Sequence, residues 1–129
     1  LLTAVFASVL ALFYIYLSLR TIRLRRGKRI ALGAGGDSQM ERAIRVHSNF
    51  AEYVPLSLLL ILLLELQSAN KALVGFLGFL LLLGRGVHAF GVSQEAEDFR
   101  FRVGGMMLTF ASLALASLAN LAVFFMGSH

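Results

Sequence analysis

Long apolar blocks alternate with short polar stretches along the chain, and this pattern predicts four helices and no strands. The first block, residues 1–24, contains no acidic side chain and ends in a cationic run. A glycine-rich connection follows, GKRIALGAGGDS at 27–38. A second helix is expected over 39–66, with Asp37 or Ser38 as its N-cap and Glu41 placed to close a capping box with Ser38. Its first half, QMERAIRVHSNFAE, is amphipathic, while its second, YVPLSLLLILLLEL, is almost wholly apolar. Pro55 is expected to kink this helix, which a membrane tolerates where neighbours re-satisfy the freed carbonyl. The turn QSANK leads to a third helix over 72–92, the acidic loop SQEAEDF occupies 93–99, and a fourth helix covers 100–126.

Each block approaches the roughly 20 residues a helix needs to cross a hydrocarbon layer of about 30 Å. Of the 129 residues, 58% are hydrophobic and 15% charged, against about 25% charged in ordinary soluble domains. Cysteine is absent. These features exclude a soluble globular enzyme, a disulfide-stapled secreted domain and a Cys-ligated metal site. The expected fold class is all-α, an integral membrane four-helix bundle with one domain over 1–126. No metal site is expected. The terminal Gly127-Ser128-His129 reads as a remnant of a cloning tag, so His129 is left out of any chemistry.

Charge orients the bundle. The formal net charge is +5, and six of the twelve Lys and Arg residues are Arg20, Arg23, Arg25, Arg26, Lys28 and Arg29. Basic residues are retained on the cytoplasmic side, which places the first and third loops inside and both termini outside. Lys71 is then the only basic residue on the outer side. The order, apolar block before basic run, fits a first spanning helix rather than a cleaved signal. Nucleic-acid binding is not expected, because no aromatic side chains interleave with the basic run.

Ionisable residues within spanning helices are costly and mark functional positions. Arg42, Arg45, Asn49 and Glu52 form one stripe on the second helix, within roughly 80° of arc, and His47 faces away from it. Arg85 and His88, three apart, share a face of the third helix. Tyr16, Arg20 and Arg23 share one on the first, and Arg100 and Arg102 open the fourth. All lie toward the predicted cytoplasmic end. A wet, cationic pocket with few acids to neutralise it suits an anionic ligand, since arginine recognises carboxylates bidentately. Plainer readings stand beside this one. Most of the run at 20–29 reads as headgroup anchors, Glu41 and Arg42 as helix-surface charges, and Glu65 as solvated. A structural Arg–Glu pair tying two helices together is the alternative for Arg45, Asn49, Glu52 and Arg85.

The segment ERAIRVHSNFAEYVPL at 41–56 resembles the signature of the MAPEG family, the membrane-associated proteins of eicosanoid and glutathione metabolism. LLGRGVH at 82–88 and FRFRVGG at 99–105 extend the likeness over essentially the whole chain, closest to short bacterial members. The resemblance implies a homotrimer in a bacterial inner membrane, binding glutathione as cosubstrate between subunits near the cytoplasmic face. It implies that Arg45, Asn49 and Glu52 hold the tripeptide, with Glu52 on its α-amino group and the arginines on its carboxylates. Arg85 and His88 would line the same cleft, and Arg23 would reach toward it from the first helix. Arg102 matches the arginine beside the thiol, with Arg100 as the other candidate. The implied activity is a transferase or peroxidase acting on a lipophilic small molecule amid membrane lipids. Val92 and Val103 stand where prostaglandin-synthesising members carry Tyr and Ser, which points away from hydroxyl-assisted isomerisation. The rivals are a non-catalytic lipid- or glutathione-binding protein and a small multidrug transporter. An acid-free first helix argues against the transporter, which couples protons through a carboxylate there.

Overall fold

The computed structural model describes residues 1–127 and consists of four helices: α1 (Leu2–Lys28), α2 (Ser38–Leu66), α3 (Lys71–Ser93) and α4 (Phe99–Met126). Each is long and apolar enough to cross a membrane. Their bounds lie close to those expected, except that α1 runs one turn past residue 24, to Lys28, and closes on Arg29 in the left-handed conformation, φ 55°. Of the three terminal residues read as a tag remnant, Ser128 and His129 lie outside the described residues. Neighbouring helices are antiparallel, so the 29–37 and 94–98 loops meet at one end of the bundle.

Local chemistry sets the helix ends. Asp37, not Ser38, caps α2, accepting from the Met40 N–H at 2.8 Å. Lys28 also donates to Asp37 at 2.9 Å, and these two bonds hold its carboxyl below the usual range. The expected capping box is absent, because Ser38 donates instead to Glu95 at 2.8 Å and Glu41 lies 3.7 Å from Arg45. Asn70 and Asp98 cap α3 and α4. Glu65 is not simply solvated: it accepts from the N–H groups of Leu2 and Thr3 at 2.6 and 2.8 Å. Through it α2 supplies the acidic cap that the first turn of α1 lacks. Helix α2 continues unbroken through Pro55.

Leu10, Leu17, Phe50, Val54, Ile61, Leu77 and Leu81 form the buried core shared by α1, α2 and α3. Leu12, Ile15, Phe79 and Phe124 face outward, as a lipid-facing surface requires. The closest backbone approach joins α3 to α4. A Cβ at Gly105 would stand 2.5 Å from the His88 nitrogen, and one at Gly91 would stand 2.5 Å from Cβ of Phe101. Thr109, Ser112 and Ala116 continue the stripe of small residues along α4, as close helix approach in membranes favours. Ser112 uses that closeness to donate to the Leu77 carbonyl at 2.8 Å.

Gly105→Leu is expected to force α3 from α4 and to cost about 3 kcal/mol or more, the upper range for overpacking. Gly104→Ala, whose Cβ would meet nothing within 4 Å, should melt in detergent like the parent. Equal melting of both variants would show that the backbone contact is not limiting.

Candidate functional site

The helical period of α2 places Arg45, Ser48, Asn49 and Glu52 on one face, at the end of the bundle where the 29–37 and 94–98 loops meet. Opposite them stand His88 and Val92 of α3 and Arg102 and Met106 of α4, and together these eight side chains line a cavity of about 300 Å³. That volume is at the lower end of roughly 300–1,000 Å³ for ligand sites. A recess of about 290 Å³, lined by Ser38, Glu41, Arg42, Arg45, Val92 and Arg102, adjoins it toward the loops. Thus Arg45, Asn49, Glu52, His88 and Arg102, singled out from sequence, surround one space.

The remaining candidates lie elsewhere. Arg85 does not line the cavity; it is 1% exposed, directly behind it. Its Nη1 donates to Asn49 Oδ1 at 2.8 Å and to the Asn49 carbonyl at 3.3 Å, and its Nη2 approaches Met106 Sδ at 3.6 Å. With Oδ1 occupied in this way, the Asn49 amide offers its Nδ2 donors to a ligand. Arg23 is exposed on α1 and is not among the lining residues. Arg100 is 90% exposed and chelated by Asp98 at 2.7 Å, so Arg102 is the arginine of this pair that faces the cavity. Glu52 makes no ion pair among the described residues, and Arg85 has Asn49 as its partner. A structural Arg–Glu pair therefore does not tie these helices together. His47 faces away as expected, 3.0 Å from the Ser18 hydroxyl and stacked on Tyr14.

Glu97 is the residue that sequence reasoning missed. Its side chain is 3% exposed and joins two arginines: Arg102 donates through Nε and Nη2, both at 2.7 Å, and Arg42 donates through Nη1 at 2.8 Å. Arg42 is therefore no ordinary surface charge; it also donates to the Val92 carbonyl at 3.0 Å. A carboxylate five positions before Arg102 in an acidic loop was the available signal, but a loop's path is not written in its composition. The pocket is accordingly less cationic than expected. Nor is the basic run merely a set of headgroup anchors, since Arg20 donates to Ser93, Arg25 to the Gly33 carbonyl and Lys28 to Asp37.

Burial alone would raise the Glu97 pKa, but the bonds and charges of Arg42 and Arg102 outweigh it and hold the carboxyl below its ordinary 4.5. A depressed carboxylate contributes stability that is present above its unfolded pKa and lost as pH falls through the folded one. Glu97→Gln should therefore lower neutral-pH stability by about 2 kcal/mol, the scale of a lost charged hydrogen bond. It should also flatten the loss of stability below about pH 4.5, as followed by melting in detergent between neutral and acidic buffer. An unchanged acid limb in the variant would show that Glu97 does not carry it.

The sequence profile of the MAPEG family matches residues 3–122. The chain is also 39% identical over 119 residues, 92% of its length and 89% of theirs, to proteins named "Inner membrane protein YecN" in Escherichia coli strain K12 and in Escherichia coli O6:H1 strain CFT073. With a family match over nearly the whole chain and a relative of this similarity, four helices each able to span a bilayer, and a polar cleft at one end, the chain belongs to the MAPEG family of membrane proteins.

Proposed function

We propose that this protein binds glutathione in the α2–α3–α4 cleft and activates its thiol for attack on a lipophilic electrophile or on a lipid hydroperoxide, the latter reduced to its alcohol as two glutathiones are oxidised to the disulfide with release of water. One observation carries the reading: five side chains from three helices converge on a single cavity, and their chemistry complements the tripeptide. Arg45 offers a guanidinium to a carboxylate. Glu52, without an ion-pair partner among the described residues, is free to receive an ammonium group. Asn49, held by Arg85, offers amide donors in a set direction.

Arg102 is the candidate thiol activator. Glu97 occupies Nε and Nη2 and so orients the guanidinium, leaving Nη1 to meet a ligand. A cysteine thiol has a free pKa of about 8.5. A neighbouring guanidinium favours the thiolate by charge and by hydrogen bonding, each unit of lowering corresponding to about 1.4 kcal/mol, and the released proton passes to water. Val92, on the cavity wall, has no hydroxyl to assist an isomerisation, which supports simple transfer or peroxide reduction. Arg23, exposed on α1, fits the family expectation of a homotrimer in which it reaches a neighbour's cleft. We further place the protein in the bacterial inner membrane named for its relatives, with the cleft end cytoplasmic and both termini outside, following the concentration of basic charge. A non-catalytic glutathione or lipid carrier is the second reading, favoured by the engagement of Arg102 with Glu97.

Calorimetric titration of glutathione into the detergent-purified protein, with thiolate absorbance followed on the same sample, separates these. Arg102→Ala should abolish the thiolate signal and lower turnover about 100-fold or more, the scale seen when a donor to developing negative charge is removed, while the Kd changes less than about 3-fold. Glu52→Ala should instead weaken binding about 10-fold or more, as expected for a lost charged hydrogen bond. Binding without thiolate would favour the carrier, and no binding would overturn the glutathione reading.

A further inference from the structure

A second, smaller cavity of about 100 Å³ lies between α1, α2 and α3, lined by Arg20, Leu24, Gln39, Arg42, Ala43 and Ser93. It shares only Arg42 with the recess of the main cleft. Its walls are rich in unused donors. Nε and Nη2 of Arg20 and Nε of Arg42 are buried and without hydrogen-bond partners. Arg20 Nη1 donates to the Ser93 hydroxyl oxygen at 2.8 Å, which leaves the Ser93 proton to be donated elsewhere. Gln39 adds an amide. A carboxylate reaches the edge of this set from one side: Glu95 lies 4.0 Å from Arg42 Nε, beyond hydrogen-bonding distance. Glu97 is engaged on the other side of Arg42 and with Arg102. Arg20 has no ion pair among the described residues.

Guanidinium groups do not lose their protons, so these three orphan nitrogens, which carry four N–H bonds, need acceptors. Water at about 30 Å³ per molecule would fit, roughly three of them, but each brings donors of its own and no charge. A phosphate oxyanion brings mainly acceptors and neutralises Arg20. Tetrahedral phosphate oxygens suit the planar fork of arginine, and the cavity is too small for a tripeptide.

We propose that this pocket binds a phosphate oxyanion, supplied by a phosphodiester lipid headgroup or by inorganic phosphate. The site is separate from the proposed glutathione cleft and does not depend on that reading. The test uses the full chain, purified in a neutral detergent and phosphate-free buffer. Inorganic phosphate is titrated calorimetrically, followed by competition with soluble dihexanoyl phosphatidylglycerol. Arg20→Gln should weaken phosphate binding about 10-fold or more, the scale of a lost charged hydrogen bond, and Arg45→Gln, in the main cleft, should leave it unchanged. Ser93→Ala, a milder change, should weaken it about 3-fold and guards against misfolding of the arginine variant. Displacement by the short-chain lipid would assign the site to a headgroup; binding of inorganic phosphate without displacement would assign it to the free ion. Absence of binding, equal binding by parent, Arg20→Gln and Ser93→Ala, or loss only in Arg45→Gln would overturn the proposal.

Discussion

Where Gly105 of α4 meets the backbone of His88 on α3, there is no room for a methyl group. That contact governs the polar end of the bundle. It lets the two helices approach backbone to backbone, so that His88 and Val92 from one and Arg102 and Met106 from the other line the same cavity. Bulk at this crossing would separate those pairs. In a membrane, where lipid tails are as apolar as leucine, close packing of small residues replaces the hydrophobic drive that would hold such helices together in water.

The second constraint is electrostatic. A dense group of arginines must be reconciled with helices that also cross hydrocarbon, and the chain does this with few acids, one of which reaches across the bundle. Glu97 bridges Arg42 and Arg102, joining α2 to α4 through the loop between α3 and α4. Asn49 performs a related task with a neutral group, taking the buried Arg85 guanidinium on its side-chain oxygen and carbonyl. At the opposite end Glu65 ties α2 to the first turn of α1. These bonds fix the directions of the side chains facing the cleft, and the donors left over at Arg20 and Arg42 mark the second pocket.

Much of this was legible beforehand. The four apolar blocks specify four helices, because backbone groups in hydrocarbon must pair within their own segment. The spacing of Arg45, Asn49 and Glu52 specifies one face, because the helical period leaves no other arrangement. The motifs at 41–56, 82–88 and 99–105 specify the family. All are local properties, set by rise, period and residue type along a continuous stretch.

What the tertiary structure alone decided is which charges meet. Arg85 and His88 share a face by spacing, yet packing buries Arg85 behind Asn49 and leaves His88 on the cavity wall. Arg100 and Arg102 differ by two positions, and the packing of α4 on α3 turns only Arg102 into the cleft. Arg42 reads along the sequence as a helix-surface charge, and it is the path of the loop that brings Glu97 to it. An ion pair between residues 55 positions apart depends on helix rotation and loop path, and both follow from packing across the bundle rather than from the order of residues within any one segment.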